Sequence, residues 1–138
     1  GVVGRLMYLL DTNIFLELLL EQQNSDIVEE FLRKTPSEEL YFSEFSLYSV
    51  GIILFQTDKY EVFSRFIEDL FIKGGIQLIS ISPNDHKTLV KHAKEFNLDF
   101  DDAYQYQIAN NYDFTLVSYD KDFDDTKLGR IEPNEILS

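Results

Sequence analysis

Short apolar runs of strand length alternate with longer helical patterns along this chain, and in three places the changeover carries an aspartate. The stretches are Tyr8-Leu9-Leu10-Asp11-Thr12-Asn13, Leu98-Asp99-Phe100-Asp101-Asp102-Ala103 and Thr115-Leu116-Val117-Ser118-Tyr119-Asp120. Strands separated by helices point to a parallel sheet covered on both faces. In such sheets the C-terminal strand ends lie along one edge, where ligands bind. Aspartates gathered at that edge repel one another in a partly desolvated site. A divalent cation relieves the conflict, and Mg²⁺ or Mn²⁺ prefers carboxylate and water oxygens. The pattern points first to a metal-dependent enzyme acting on phosphate esters.

The element pattern predicts a three-layer α/β/α domain with a mainly parallel sheet of four or five strands. Strands are expected at Tyr8–Leu10, Leu40–Ser43, Ile76–Ile81 and Phe114–Ser118, with Arg130-Ile131 as a further edge strand. Helices are expected from about Asn13 to Glu21, Ile27 to Lys34, Glu44 to Gln56, Thr57-Asp58 to Lys73, Pro83 to Phe96 and Asp101 or Asp102 to Tyr112, with a final turn over Pro133–Leu137. The 138 residues fit one domain, and 44% hydrophobic content with 12 Phe and 8 Tyr suffices for a core without staples. That domain is read as residues 7–138. Gly1 to Leu6 precede Met7, the only Met, and read as a vector-derived leader or an upstream extension.

The absence of cysteine excludes disulfides, zinc-thiolate sites and a thiol nucleophile. The longest apolar run, Val50 to Phe55, is far too short for a bilayer, and no signal peptide is visible, so a cytoplasmic protein without membrane contact is expected. A net charge of −13 argues against passive nucleic-acid binding through Lys and Arg, but allows binding through metal ions and suits a basic partner.

Each candidate also has a plain structural role. Asp11 can cap the helix that follows it, although Asn13 could cap instead and leave Asp11 facing the cleft. One of Asp101 and Asp102 is expected to cap the next helix, leaving the other for metal binding, while Asp99 reads as a solvated loop residue. The run Asp120-Lys121-Asp122-Phe123-Asp124-Asp125 begins like a calcium loop. It fails that pattern, because Asp125 stands where Gly is needed and Ile131 where Glu is needed. A strand-end acid with Phe123 packing the turn suits Asp120 better. His86 and His92 lie six residues apart on one helix and read as surface residues.

In order and content these motifs resemble the PIN-domain family, especially small single-domain members similar to VapC-type toxin ribonucleases. The resemblance runs from Met7 to Leu137. Leu9-Leu10-Asp11-Thr12-Asn13 is similar to the opening motif, Asp102-Ala103 with Ala109 to the third, and Leu116 through Phe123 to the closing one. It implies a Rossmann-like sheet, an acid cluster holding Mg²⁺ or Mn²⁺, and hydrolysis of RNA, possession of an antitoxin partner and a homodimer. Asp11, Asp102 and Asp120 would be catalytic and metal-holding, with Asp101 joining through water and Asp122 as a helper. The family's second motif usually carries a Glu six residues after a Ser, and here Ser43 is followed at that spacing by Ser49. Glu44, five residues before Ser49, lies about 140° away around the helix and is no substitute. Fewer carboxylates imply weaker metal binding, which keeps open a second reading as a non-catalytic binding or regulatory module. A receiver-like signalling domain is a weaker third, since Asp11 lacks the paired acid such domains carry after strand one.

Overall fold

The computed structural model describes residues 6–137; the expected leader falls outside these but for Leu6. Four short strands, β1 (Tyr8–Leu10), β2 (Leu40–Ser43), β3 (Gln77–Ile79) and β4 (Thr115–Val117), form a sheet in the order β3-β2-β1-β4. Every pairing is parallel, with Leu10 opposite Phe42 on one side and Val117 on the other. Among the described residues, seven α-helices flank it: α1 (Thr12–Leu19), α2 (Ser25–Lys34), α3 (Glu44–Gln56), α4 (Tyr60–Phe66), α5 (Pro83–Phe96), α6 (Phe100–Tyr112) and α7 (Pro133–Leu137).

The period-two alternation of strand side chains divides the core into two clusters. Tyr8, Leu10, Leu40, Phe42 and Val117 face the side where Ile14, Phe15, Val28, Phe31, Val50, Leu54 and Phe66 pack. Leu9 and Leu116 face the other side, against Leu89, Ala103, Tyr106, Ile108 and Ala109. Since β1 is buried on both faces, its sequence is apolar without alternation, as parallel central strands require.

Several elements differ from the sequence expectation. The long helix expected from Thr57-Asp58 to Lys73 starts only at Tyr60, because Asp58 takes a left-handed conformation (φ 56°). Its second half, Ile67–Ile72, widens into a π-helix, closed by the Lys73 amide donating to the Glu68 carbonyl at 2.9 Å. At Gly74 an added Cβ would stand 2.5 Å from the Asp69 carbonyl oxygen, so the chain can leave this wide turn only through glycine. β3 is shorter than Ile76–Ile81, and Arg130-Ile131 contributes a single parallel bridge, Ile131 to Val117, rather than a strand. His86 and His92 are half-buried, not surface residues. His86 lies nearly parallel to Phe100 at 6.1 Å, and His92 Nδ1 sits 2.7 Å from Gln107 Oε1. Both rings fill the seam where α5 packs on α6.

Phe15 is the hub of the first cluster, with its ring 4.7 Å from Phe42 and 5.1 Å from Phe66. Phe15→Ala leaves a large cavity there and should lower unfolding free energy by about 3–5 kcal/mol, measured by urea denaturation.

Candidate metal centre

Strand order reverses direction between β1 and β4, and at such a switch point the loops leave a crevice. The Asp11 amide extends the ladder by donating to the Val117 carbonyl at 2.9 Å, which places the residues after both strands side by side. The first turns of α1 and α6 reach the same edge. A cleft of about 270 Å³ opens there, lined by Asp11, Asp101, Asp102 and Asp120 together with Ser49 and Gln105, and walled by Leu16, Phe45 and Ile53. The expected acids are thus brought together, and none of the lining residues is Lys or Arg.

Asp11 both caps and faces the cleft, so Asn13 does not take over the capping. Asp11 Oδ1 accepts from the Thr12 amide at 2.8 Å and Gln105 Nε2 at 3.0 Å. Its Oδ2 accepts from Ser118 Oγ at 2.6 Å and Asn13 Nδ2 at 3.4 Å. Ser118 Oγ in turn accepts from the Asp120 amide at 2.9 Å, tying the ends of β1 and β4 together through one hydroxyl. Burial pushes the Asp11 carboxyl above its usual value, with the Ser118, Gln105 and Thr12 donors pulling the other way.

Neither Asp101 nor Asp102 caps α6. The helix begins earlier, at Phe100, with Asp99 in the cap position but making no side-chain cap bond. Asp102 therefore falls in the third helical position, where its side chain turns inward and is 6% exposed, while Asp101 stays exposed. Asp120 sits at the head of a 3-10 turn, Lys121–Asp125, and accepts from the Asp122 amide at 2.9 Å. Phe123, fully buried, anchors that turn. Arg130 braces it from behind by donating to the Ser118 carbonyl at 3.0 Å and to Glu132 at 2.6 Å. Among the described residues, the side chains that come close enough to share one ion are Asp102, Asp120 and Asp122, whose nearest oxygens lie within 4.8 Å of one another.

Desolvation, then repulsion from Asp120, Asp101 and Asp11, pushes the Asp102 carboxyl up to about 8, and a side-chain hydrogen bond with Asp120 adds to the rise. A proton thus stands where a cation would stand, and an all-carboxylate donor set suits a hard ion such as Mg²⁺ or Mn²⁺. The residues present fit such an ion. Ser49 faces this cleft from α3, its Oγ donating to the Phe45 carbonyl at 3.0 Å, so the position expected for a fourth acid is in place but uncharged.

Gln105 was missed by the sequence reading. Its Nε2 binds Asp11 and, at 2.6 Å, Ser46 Oγ, which also accepts from Thr12 Oγ1. Its Oε1 is buried without a partner, a cost of about 1–3 kcal/mol. Turning the amide over would set that oxygen against the Asp11 carboxylate, so the donor is kept on Asp11 instead. In the structure its polar side chain lies in a helix buried at every position from Asp102 to Ala109, so it must find partners inside.

A carboxyl raised from 3.8 to about 8 lets the folded state keep a proton that the unfolded state loses. Metal-free stability should therefore fall as pH rises from about 4 to about 8. Melting temperatures in EDTA should show that decline, and Asp102→Asn should flatten it. Saturating Mn²⁺ should remove most of the decline, because binding requires the deprotonated acid.

A PIN domain family model matches residues 8–128. Among solved structures, a toxin–antitoxin complex from Klebsiella pneumoniae is similar at a TM-score of 0.71 and 20% identity, covering 91% of this chain and 97% of that one. PAE2754 from Pyrobaculum aerophilum gives 0.70 and 20% over 99% and 96%, and FitAcB from Neisseria gonorrhoeae gives 0.69 and 20% over 92% and 98%. No curated protein matches. With the parallel sheet, the acids at its switch point and the family model spanning nearly every element, the chain belongs to the PIN-domain family.

Proposed function

We propose that this protein is a divalent-metal-dependent endoribonuclease. The observation that carries the reading is Asp102, a buried acid in the cleft whose carboxyl is pushed up to about 8 by desolvation and then by the nearby Asp120, Asp101 and Asp11. Asp11, Asp102 and Asp120 form the acid centre for Mg²⁺ or Mn²⁺, with Asp101 at its rim. A bound ion would activate water and stabilise charge developing on a phosphodiester. The chain's own residues supply a fixed frame. Phe123 and Arg130 hold the turn that carries Asp120, and α6 carries Asp102 on a buried helix. With no Lys or Arg lining the cleft, the ion is also the means of holding the RNA phosphate there.

The uncharged Ser49 favours a second reading, a PIN-like module that binds without cleaving. One assay separates them: cleavage of a mixed-sequence RNA with Mn²⁺, comparing the parent with Asp102→Asn. The enzyme reading expects Asp102→Asn to lose at least a hundredfold in rate; equal background in both leaves the binding module. In the same series Ser49→Glu should melt lower than the parent in EDTA, since it adds a like charge to the cleft. It should also show a larger Mn²⁺-induced rise in melting temperature, because an added ligand strengthens binding to the folded state.

An antitoxin partner is supported by the assembly that the Klebsiella structure's description names, and by a net charge of −13 that suits a basic partner. A small basic reading frame directly upstream of its gene would support that partner. A homodimer is supported by Tyr48, Ile52 and Phe55, all more than half exposed along α3 beside Phe63. Among the described residues no helix is long and apolar enough to cross a membrane, so this apolar face suits a protein surface. Light scattering at micromolar concentration should give twice the chain mass, and a monomeric mass removes the proposal.

A further inference from the structure

The outer face of α5 carries a row of lysines. Lys87, Lys91 and Lys94 follow one another at helical spacing, and all three are exposed. At about 100° per residue they fall within an arc of about 60°, opposite the buried Leu89. Among the described residues none of the three pairs with an acid, whereas Lys34, Lys73 and Arg130 each do. Glu95 flanks Lys91 on the helix without pairing to it. The chain has 25 acidic residues against 12 basic ones, so three bare cations on one face make a local positive surface on an acidic molecule.

That surface connects to the cleft through aromatic rings. Phe45 walls the cleft, and its ring meets Phe100 at 5.8 Å and Tyr104 at 5.3 Å. Phe100 opens α6 two residues before Asp102 and is 53% exposed, a large apolar ring left half bare at the cleft rim. His86 lies beside it, 11° from parallel at 6.1 Å, and directly precedes Lys87. Around α5 the surface passes from His86 through the exposed Val90 to Lys87 and Lys94. Bare rings joined to a basic row suit a single-stranded nucleic acid, whose bases stack on aromatic faces while its phosphates meet cations. The row runs about 10 Å along the helix, the length of about three phosphates in a stacked strand. An acidic protein surface matches the lysines but offers the ring at the rim no planar partner.

We propose that a single-stranded RNA leaves the cleft across Phe100, which stacks on one of its bases, and that its backbone then follows Lys87, Lys91 and Lys94 along α5. This rests on the cleft being the centre of a ribonuclease, and it adds the surface that holds the strand outside that centre. The lysines do not reverse the long-range repulsion of a chain with net charge −13; they act on contact, inside the distance over which salt screens. Phe100 and the lysines touch the strand away from the bond that is cut. They therefore set the affinity for RNA and leave the chemical step alone.

The test is fluorescence anisotropy of a labelled, mixed-sequence single-stranded RNA dodecamer with the full chain in EDTA, beside cleavage of the same RNA in Mn²⁺. Lys87→Gln, Lys91→Gln and Lys94→Gln together should weaken binding by about tenfold or more. A control removes the same charge from elements packed on the other face of the sheet: Arg33→Gln, Lys34→Gln and Lys73→Gln together should weaken it by less than about threefold. Phe100→Leu should cost about fivefold or more, while Phe100→Tyr keeps the parent affinity, since stacking needs a ring. In Mn²⁺ the same losses should appear in KM, with kcat within about twofold of the parent. Equal losses in the two triple variants reduce the effect to net charge and overturn the lysine track. Equal affinities of Phe100→Leu and Phe100→Tyr overturn the stacking contact. If binding follows the expected pattern but Mn²⁺ gives no cleavage, the nuclease reading falls and the track stands. Cleavage with KM unchanged in every variant gives the reverse, and a parent that neither binds nor cuts RNA overturns both.

Discussion

The pairing of β1 with β4 is the contact on which the site depends. Both strands are three residues long, and neither would hold its register alone. Their ladder is prolonged past the last strand residue by the Asp11 amide on the Val117 carbonyl, and again by Asn13 receiving the Tyr119 amide. Residues 105 and more positions apart in sequence are thereby fixed within hydrogen-bond distance. On the far side of β4, Ile131 repeats the pattern, taking the Ser118 amide on its carbonyl and donating its own amide to Leu116. The turn carrying Asp120 is therefore clamped between β1 and Ile131, by backbone bonds and by the Asn13 side chain.

What that clamp holds together is electrostatically unfavourable. Three helices begin at this edge, after Asp11, Ser43 and Asp99, and their free amides favour negative charge there. Yet burial and mutual repulsion outweigh those dipoles, since both buried acids end above their usual values. The structure meets the conflict in two ways. At Asp11 it surrounds the charge with neutral donors; at Asp102 it leaves the carboxyl raised to about 8.

Much of this was legible in the sequence, for identifiable reasons. Tyr8–Leu10 and Thr115–Val117 are apolar runs ended by polar turns, and that contrast alone marks buried parallel strands with acids at their tips. α3 starts at Glu44 and α5 at Pro83, as the local pattern predicts, and in the structure Ser43 and Ser82 cap them, the latter with a reciprocal Asp85 bond. What escaped depends on partners distant in the chain. The sequence reading began α6 at Asp101 or Asp102 because either could cap, whereas the helix starts earlier, at Phe100, whose ring packs against Phe45 and His86. The π-helix over Ile67–Ile72 has no local signature beyond the glycine pair that ends it. Gln105 was hidden because its role exists only once β1 and α3 bring Asp11 and Ser46 against it.

The absence of Lys and Arg from the cleft lining has a consequence for ionic strength. Proteins that neutralise phosphates with basic side chains release counterions, and their affinity for nucleic acid falls steeply as salt rises. This chain, with 25 acidic and 12 basic residues, has little of that attraction to lose. Around such a surface, dissolved cations screen the repulsion between protein and a polyanion rather than compete for its contacts. Encounter with RNA would then be limited by long-range repulsion at low salt and eased as salt increases, the inverse of the behaviour of a basic nucleic-acid binder.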